Sequence, residues 1–257
     1  ERLLELLDDA VRLRLMGDVP YGAFLSGGID SSAVVALMAK HVSGRVKTFT
    51  VGFDEKGFDE TSHAQHVSRL FDTEHYNLVL RPEMAEELPR LIWHFDEPVA
   101  DMAALPTFVV SRLAREKVKV VLTGEGSDEL LAGYPRYIIN SLADRYHLLP
   151  GWMKGWISDQ MASSRRPPRH EWGRVLRKIV FSAPAMRERH IHWIGNFYPG
   201  DKDRLYSLAL RKELHAEGSY QVFNRYFSEH ARRHPLEMLQ YLDIKTWMPD
   251  NILMKVD

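Results

Sequence analysis

Cysteine is missing altogether from the 257 residues, which excludes disulfides, thiolate metal sites and cysteine nucleophiles within this chain. Excess charge is missing too: 34 Lys and Arg against 35 Asp and Glu leave a formal net charge of -1. There is thus no global electrostatic case for nucleic acid or an anionic membrane surface. Long apolar runs are lacking, because the hydrophobic stretches are short and interrupted, and no signal peptide opens the chain. A cytoplasmic protein without a membrane partner is expected. No internal repeat or sustained low-complexity tract occurs. What is present is a 45% share of hydrophobic residues. A chain of this length can bury on the order of 70–75% of its unfolded surface, as one large domain or two small ones.

Two glycine-rich turns carry the chemistry. The apolar run Val19–Leu25 precedes Ser26-Gly27-Gly28-Ile29-Asp30-Ser31-Ser32, and Ala33–Ala39 then suits a buried helix; the pattern is a strand turning into a helix. Gly27 and Gly28 lack a Cβ, so the backbone there can take positive φ and approach a ligand closely. The first N–H groups of the helix have no intrahelical partners, and with the helix dipole they favour an anion. Ser26, Ser31 and Ser32 can add hydroxyl donors. Asp30 beside a polyphosphate requires a cation between them, which points to Mg²⁺. A Walker A loop needs a Lys after its second glycine, and none stands here. Ser-Gly-Gly-x-Asp-Ser resembles instead the pyrophosphate loop of ATP α-hydrolases, which split ATP between the α and β phosphates and leave AMP on a substrate. An ordinary strand-to-helix turn built of small residues is the competing reading.

The β-branched run Val118–Leu122 ends in Thr123-Gly124-Glu125-Gly126-Ser127-Asp128-Glu129-Leu130-Leu131-Ala132-Gly133-Tyr134, so strand, turn and helix recur. In a parallel sheet, ligands bind beyond the carboxyl ends of strands near a switch in strand order. Two such turns can face one crevice and bring Asp30 and Asp128 within reach of one metal. Glu125, between two glycines, suits a positioned acid or base; taken alone, acidic residues here equally suit complementing a helix dipole.

Together with Thr48–Phe53, Asp59-Glu60 and Asp96-Glu97-Pro98-Val99-Ala100-Asp101, these loops resemble the synthetase domain of glutamine-dependent asparagine synthetases, from about Leu3 to Asp257. The resemblance implies an ATP-dependent ligase that adenylates the aspartate side chain, releases pyrophosphate and lets ammonia displace AMP. It implies that Ser26, Gly27, Gly28, Asp30 and Ser31 hold pyrophosphate, that Asp30 and Asp128 bind Mg²⁺, and that backbone groups of Leu25 and Val51 read the adenine. Gly124 would lie near the nucleotide, and Glu125 would be the general base. Family members carry an N-terminal glutaminase domain that supplies ammonia, and they continue past position 257 into helices with a Lys near the adenylate. The expectation is therefore a synthetase part without its glutaminase domain and truncated at its C-terminal end, with Lys255 not assigned to the place of that Lys. A homodimer is the assembly to test.

Alternation of Val46–Phe53, Glu60–Phe71, Tyr76–Leu80, Glu83–His94, Pro106–Arg115 and Val118–Leu122 predicts parallel β/α units. The expected fold is α/β, a parallel sheet of the adenine-nucleotide α-hydrolase type with flanking helices and a helical C-terminal subdomain. Residues 1–142 form the ATP-binding core and 143–257 the mainly helical extension in this reading. Leu3, Leu4, Leu6, Leu7, Ala10, Val11 and Leu13 predict a first helix packed on the sheet. The aromatics of Tyr220–Tyr226 and Leu236–Met248 are read as core. Arg165–Arg169 reads as a solvated loop or a phosphate contact, His63 and His66 as surface residues rather than a metal pair, and His75 as a neighbour of the nucleotide. Relatives of this kind also make β-lactams or cyclise peptides, so another acid substrate stays open. An RNA-modifying enzyme would show Cys pairs or a basic face, and a non-catalytic nucleotide-binding fragment is the third alternative.

Overall fold

The computed structural model of the protein describes residues 1–55, 59–96, 99, 101–163, 171–195, 199–214, 220–229 and 234–256. Glu97, Pro98 and Ala100, and the basic stretch Arg165–Arg169, lie outside them. The chain runs α1 (Arg2–Arg14), β1 (Tyr21–Phe24), α2 (Ile29–His41), β2 (Lys47–Phe53), α3 (Thr61–Leu70) and β3 (Glu74–Leu80). A 3₁₀ turn (Pro82–Glu87), α4 (Leu88–Phe95), α5 (Ala104–Arg115) and β4 (Val120–Leu122) follow. Helices then succeed one another: α6 (Ser127–Leu131), α7 (Pro135–His147), α8 (Gly151–Ser163), α9 (Glu171–Val180) and α10 (Met186–Ile194). After α11 (Pro199–Leu205), α12 (Leu208–Glu213), α13 (Gln221–Glu229) and α14 (Pro235–Lys245) come a π turn (Met248–Leu253) and the short α15 (Met254–Val256). Contacts divide the chain into two compact units, Glu1–Ser127 with Asn251–Asp257, and Asp128–Asp250. Position 142, where composition shifts, lies within α7.

The first unit is built on a four-stranded parallel sheet in the order β3-β2-β1-β4, so the predicted α/β architecture is present. Register is fixed by Ala23, which pairs with Thr48 on one side and Leu122 on the other. One face buries Val11, Ala23, Leu25, Val35, Met38, Val46, Ala64 and Leu122 under α1, α2 and α3. The other buries Phe49, Val110, Ala114 and Val118, with Phe49 stacked on Tyr76 at 5.4 Å between ring centres.

The expectation for the first helix narrows here. Of the apolar positions of α1 only Val11 is buried, in the sheet-face core with Ala23, Leu25 and Leu122, while Leu3, Leu4, Leu6, Leu7 and Leu13 are exposed; the helix also packs on α2, tied by Asp8 to Lys40 and His41. His75 belongs to β3, two strands from β1, and its Nδ1 is 2.9 Å from the Thr48 hydroxyl, which also meets Thr73 at 2.8 Å. It closes a polar chain inside the sheet, and burial pushes its pKa down.

The second unit is helical throughout its described residues. α7 packs on α9 and α10, and α13 on α14, with Tyr226 edge-on to Tyr241 at 6.0 Å, in keeping with aromatics as packing groups. Its centre is ionic. The fully buried Asp243 of α14 accepts from Arg136 Nη2 (2.9 Å), Tyr137 Oη (2.6 Å) and His190 Nε2 (2.8 Å). Burial alone would raise the Asp243 carboxyl, but the His190 hydrogen bond and charge, the Arg136 charge and the Tyr137 hydroxyl together hold it below its ordinary value. The fully buried Arg189 is satisfied by the side chain and carbonyl of Asn140, the carbonyls of Ala183 and Pro184, and the Asp144 carboxylate. Among the described residues no helix is long and apolar enough to cross a membrane.

Candidate active site

The order β3-β2-β1-β4 makes β1 the point where the chain's direction across the sheet reverses: β2 lies on one side of it and β4 on the other. Ligands of open α/β sheets bind at the carboxyl ends of the strands flanking such a point. Both glycine-rich loops leave from these ends, one after β1 and one after β4.

The first loop is held by its own hydroxyls. Ser26 and Ser31 meet oxygen to oxygen at 3.0 Å, the N–H of Gly28 donates to Ser26 Oγ at 3.2 Å, and Ser32 Oγ donates to the Gly28 carbonyl at 2.6 Å. The hydroxyls therefore shape the loop first, and Ser31 is buried in doing so. Gly28 is the N-cap of α2 in an extended conformation and offers no capping side chain, so the first N–H groups of a 13-residue helix remain without a side-chain cap. That is a backbone anion cradle. Gly27 has φ +85°, and a Cβ there would lie 2.6 Å from the backbone nitrogen of Ala64; only glycine lets the loop pass this close to α3.

The second loop reaches the first at Gly124. A Cβ at this position would lie 2.9 Å from the Ser31 nitrogen and 3.0 Å from the carbonyl carbon and Cβ of Asp30. Since the first two are backbone atoms, they cannot swing aside. Gly124→Ala is expected to displace the first turn of α2; a crystal structure of the variant with that turn unmoved would show that the contact does not set the cradle.

Each predicted residue can now be placed. Ser26, Gly27, Gly28, Asp30 and Ser31 share one strand end and helix start, and Gly124 and Glu125 are brought to it. Leu25 and Val51 lie at the carboxyl ends of adjacent strands. The Leu25 N–H donates to the Phe49 carbonyl at 2.9 Å, and its own carbonyl accepts the Thr50 hydroxyl, so what Leu25 can offer an adenine is the second lone pair of that carbonyl. Asp30 belongs to the first unit and Asp128, in α6, to the second. His63 and His66 are exposed on α3.

Two residues carry more than the sequence reading gave them. Glu129 is 1% exposed and accepts the Tyr134 hydroxyl at 2.7 Å, so its carboxylate serves packing of the second unit. Lys255 Nζ donates to Asp101 Oδ2 at 3.1 Å and lies 3.8 Å from Glu125 Oε1. No local pattern around Lys255 announces this; only the return of Asn251–Asp257 to the first unit creates it.

For Mg²⁺ the donors fit in one specific sense. No group of three or more His, Asp or Glu able to hold a metal by itself exists among the described residues. Magnesium takes one or two carboxylates and completes its shell with water and phosphate, and the half-buried Asp30 stands in the first turn of α2, beside the anion cradle.

The chain is 35% identical over 255 residues to asparagine synthetase (glutamine-hydrolyzing) 1 of Bacillus subtilis, covering 97% of this chain and 38% of that protein. It is 27% identical over 278 residues to amidase chry2 of Gibberella zeae, covering 98% of this chain and 40% of that protein. Among solved structures it is similar to an NH3-dependent NAD synthetase from Campylobacter jejuni at 16% identity, with a TM-score of 0.39 over 52% of this chain and 59% of that one. The chain spans well under half the length of the two curated relatives. The family model described as asparagine synthase matches residues 2–257, both glycine loops and the helical unit alike: the chain belongs to the asparagine synthase family.

Proposed function

We propose that this chain is the synthetase part of an ATP-dependent amide-forming ligase that converts aspartate to asparagine through a β-aspartyl-AMP intermediate. The observation that carries the reading is the meeting of the two loops at Gly124, which sets a backbone anion cradle and the Glu125 carboxylate at one end of the sheet. In the first step a carboxylate oxygen of the acid attacks the α-phosphorus, and the bond from that phosphorus to the bridging oxygen breaks. The cradle of Ser26, Gly27, Gly28 and Ser31 receives the departing pyrophosphate. In the second step the lone pair of ammonia attacks the acyl carbon, Glu125 takes a proton from the nitrogen, and AMP leaves as the C–O bond to its phosphate breaks. No protein nucleophile is needed in this scheme. Leu25 and Val51 would face the adenine and Gly124 the nucleotide. Mg²⁺ held at Asp30 would neutralise phosphate charge. Ammonia would come from a glutaminase part of the longer protein, in keeping with the glutamine-hydrolyzing relative.

Incubating the full-length protein with MgATP, ammonium and single candidate acids tests this reading. AMP, pyrophosphate and asparagine are expected in equal amounts with aspartate. A second acid substrate is favoured by the likeness to a protein called an amidase; equimolar AMP and amide with another acid, and none with aspartate, would replace aspartate in the scheme. ADP in place of AMP would sink the adenylation step itself.

A further inference from the structure

Lys255 is 4% exposed at its side chain, unusual for a lysine, and it lies on α15, which packs on α5. Burying an ammonium is costly unless it is paired and hydrogen-bonded. Asp101 meets that need: its Oδ2 accepts from Lys255 at 3.1 Å, while its Oδ1 accepts the Ala103 N–H at 2.9 Å and so fixes the carboxylate to the start of α5. One carboxylate balances one ammonium. The second, Glu125, stands 3.8 Å from the same nitrogen, within ion-pair range but beyond a hydrogen bond, and its side chain is 35% exposed. The arrangement is asymmetric: Asp101 anchors the cation, and the anchored cation faces the carboxylate of the second glycine loop.

We infer that Lys255, anchored by Asp101, is a positioning residue that holds the Glu125 carboxylate in place for the amide-forming step. The inference rests on the reading of Glu125 as the base. The Glu125 N–H donates to the Thr123 hydroxyl at 3.4 Å and Gly126 follows with φ +90°, which shapes the turn, and the attraction of the fixed cation acts on the side chain that leaves it. Lys255 acts through Glu125 and has no part in holding pyrophosphate. Removing it should therefore separate the two half-reactions.

The test compares Glu125→Gln, Lys255→Met, Lys255→Arg and the double variant Asp101→Asn/Lys255→Met in the full-length protein. Aspartate-dependent ATP–pyrophosphate exchange reports adenylation, and ammonia-dependent asparagine formation reports the second step. Lys255→Met is expected to lower kcat of amide formation by about 10²-fold, the scale of a misplaced catalytic group, with exchange nearly unchanged. Lys255→Arg, which keeps a cation near both carboxylates, restores amide formation. The double variant removes cation and anchor together, so it folds without an unpaired buried carboxylate and still loses the second step selectively. If Glu125→Gln is selective for amide formation but the Lys255 variants lower both steps equally, or neither, the positioning role is wrong while the base remains. If Glu125→Gln itself lowers both steps equally, the base reading falls and this inference with it.

Discussion

Glu125→Gln is expected to reduce ammonia-dependent asparagine formation by about 10²- to 10⁴-fold, the usual contribution of a general base, while aspartate-dependent ATP–pyrophosphate exchange continues. The separation follows from where the groups sit. The proposed adenylation uses the cradle after β1, in which Ser26, Ser31 and Gly28 bond to one another. In the proposed second step the attacking nitrogen gives up a proton to a carboxylate, and the loop after β4 carries Glu125. Gln keeps the shape of the side chain and leaves the Gly124 contact in place but cannot accept the proton. Single-turnover mixing of the variant with MgATP and aspartate should release pyrophosphate promptly and asparagine slowly. Equal slowing of both products would remove Glu125 from the base role.

Asp243→Ala is expected to destabilise the helical unit by about 3–5 kcal/mol, as when one partner of a buried ion pair is removed. The substitution leaves Arg136 without its carboxylate and the Tyr137 hydroxyl and His190 Nε2 without their acceptor. Five of the six tryptophans, Trp152, Trp156, Trp172, Trp193 and Trp247, lie in this unit, so tryptophan emission during urea unfolding reads it selectively. The same carboxylate sets an acid limit. Its folded-state pKa lies below the ordinary 3.8, so the folded form binds fewer protons than the unfolded form in that region. Its stabilisation is complete above the unfolded value and is lost as pH falls through the lower folded value. Asp243→Asn, which cannot titrate, should flatten the dependence of unfolding midpoint on pH below about 3.8. An unchanged slope would assign acid sensitivity to other carboxylates.

The sheet and both loops were legible because each rests on local rules. Val46–Phe53 and Val118–Leu122 are β-branched, and each is followed by turn residues at short range. The α1 stripe was legible in part: it gave the helix, but helical spacing shows that leucines share a face, not what covers that face, and here Val11 alone is buried, in the core of the sheet face. Glu83–His94 reads as one helix from its periodicity, but Pro89 has no N–H to continue the hydrogen-bond ladder, so a 3₁₀ turn ends at Glu87 and α4 begins at Leu88 with the proline in its first turn. The Asp243 cluster and the Lys255 pair were illegible. Arg136 and Asp243 are 107 positions apart and Lys255 and Asp101 are 154 apart, and no window on the sequence contains both partners. Gly124 was readable as a turn residue, yet its contact with Asp30 and Ser31 depends on β4 pairing with β1, which strand spacing alone does not decide.

The central claim is that this fold splits ATP at the α phosphorus in response to an acid, with the first glycine loop receiving pyrophosphate. Exchange of labelled pyrophosphate into ATP by the full-length protein, with and without aspartate and in the Asp30→Asn variant, tests it most directly. Exchange that requires aspartate and collapses in Asp30→Asn is the predicted result. Exchange that is absent from the unsubstituted protein with every acid supplied, or that persists undiminished in Asp30→Asn, would contradict it.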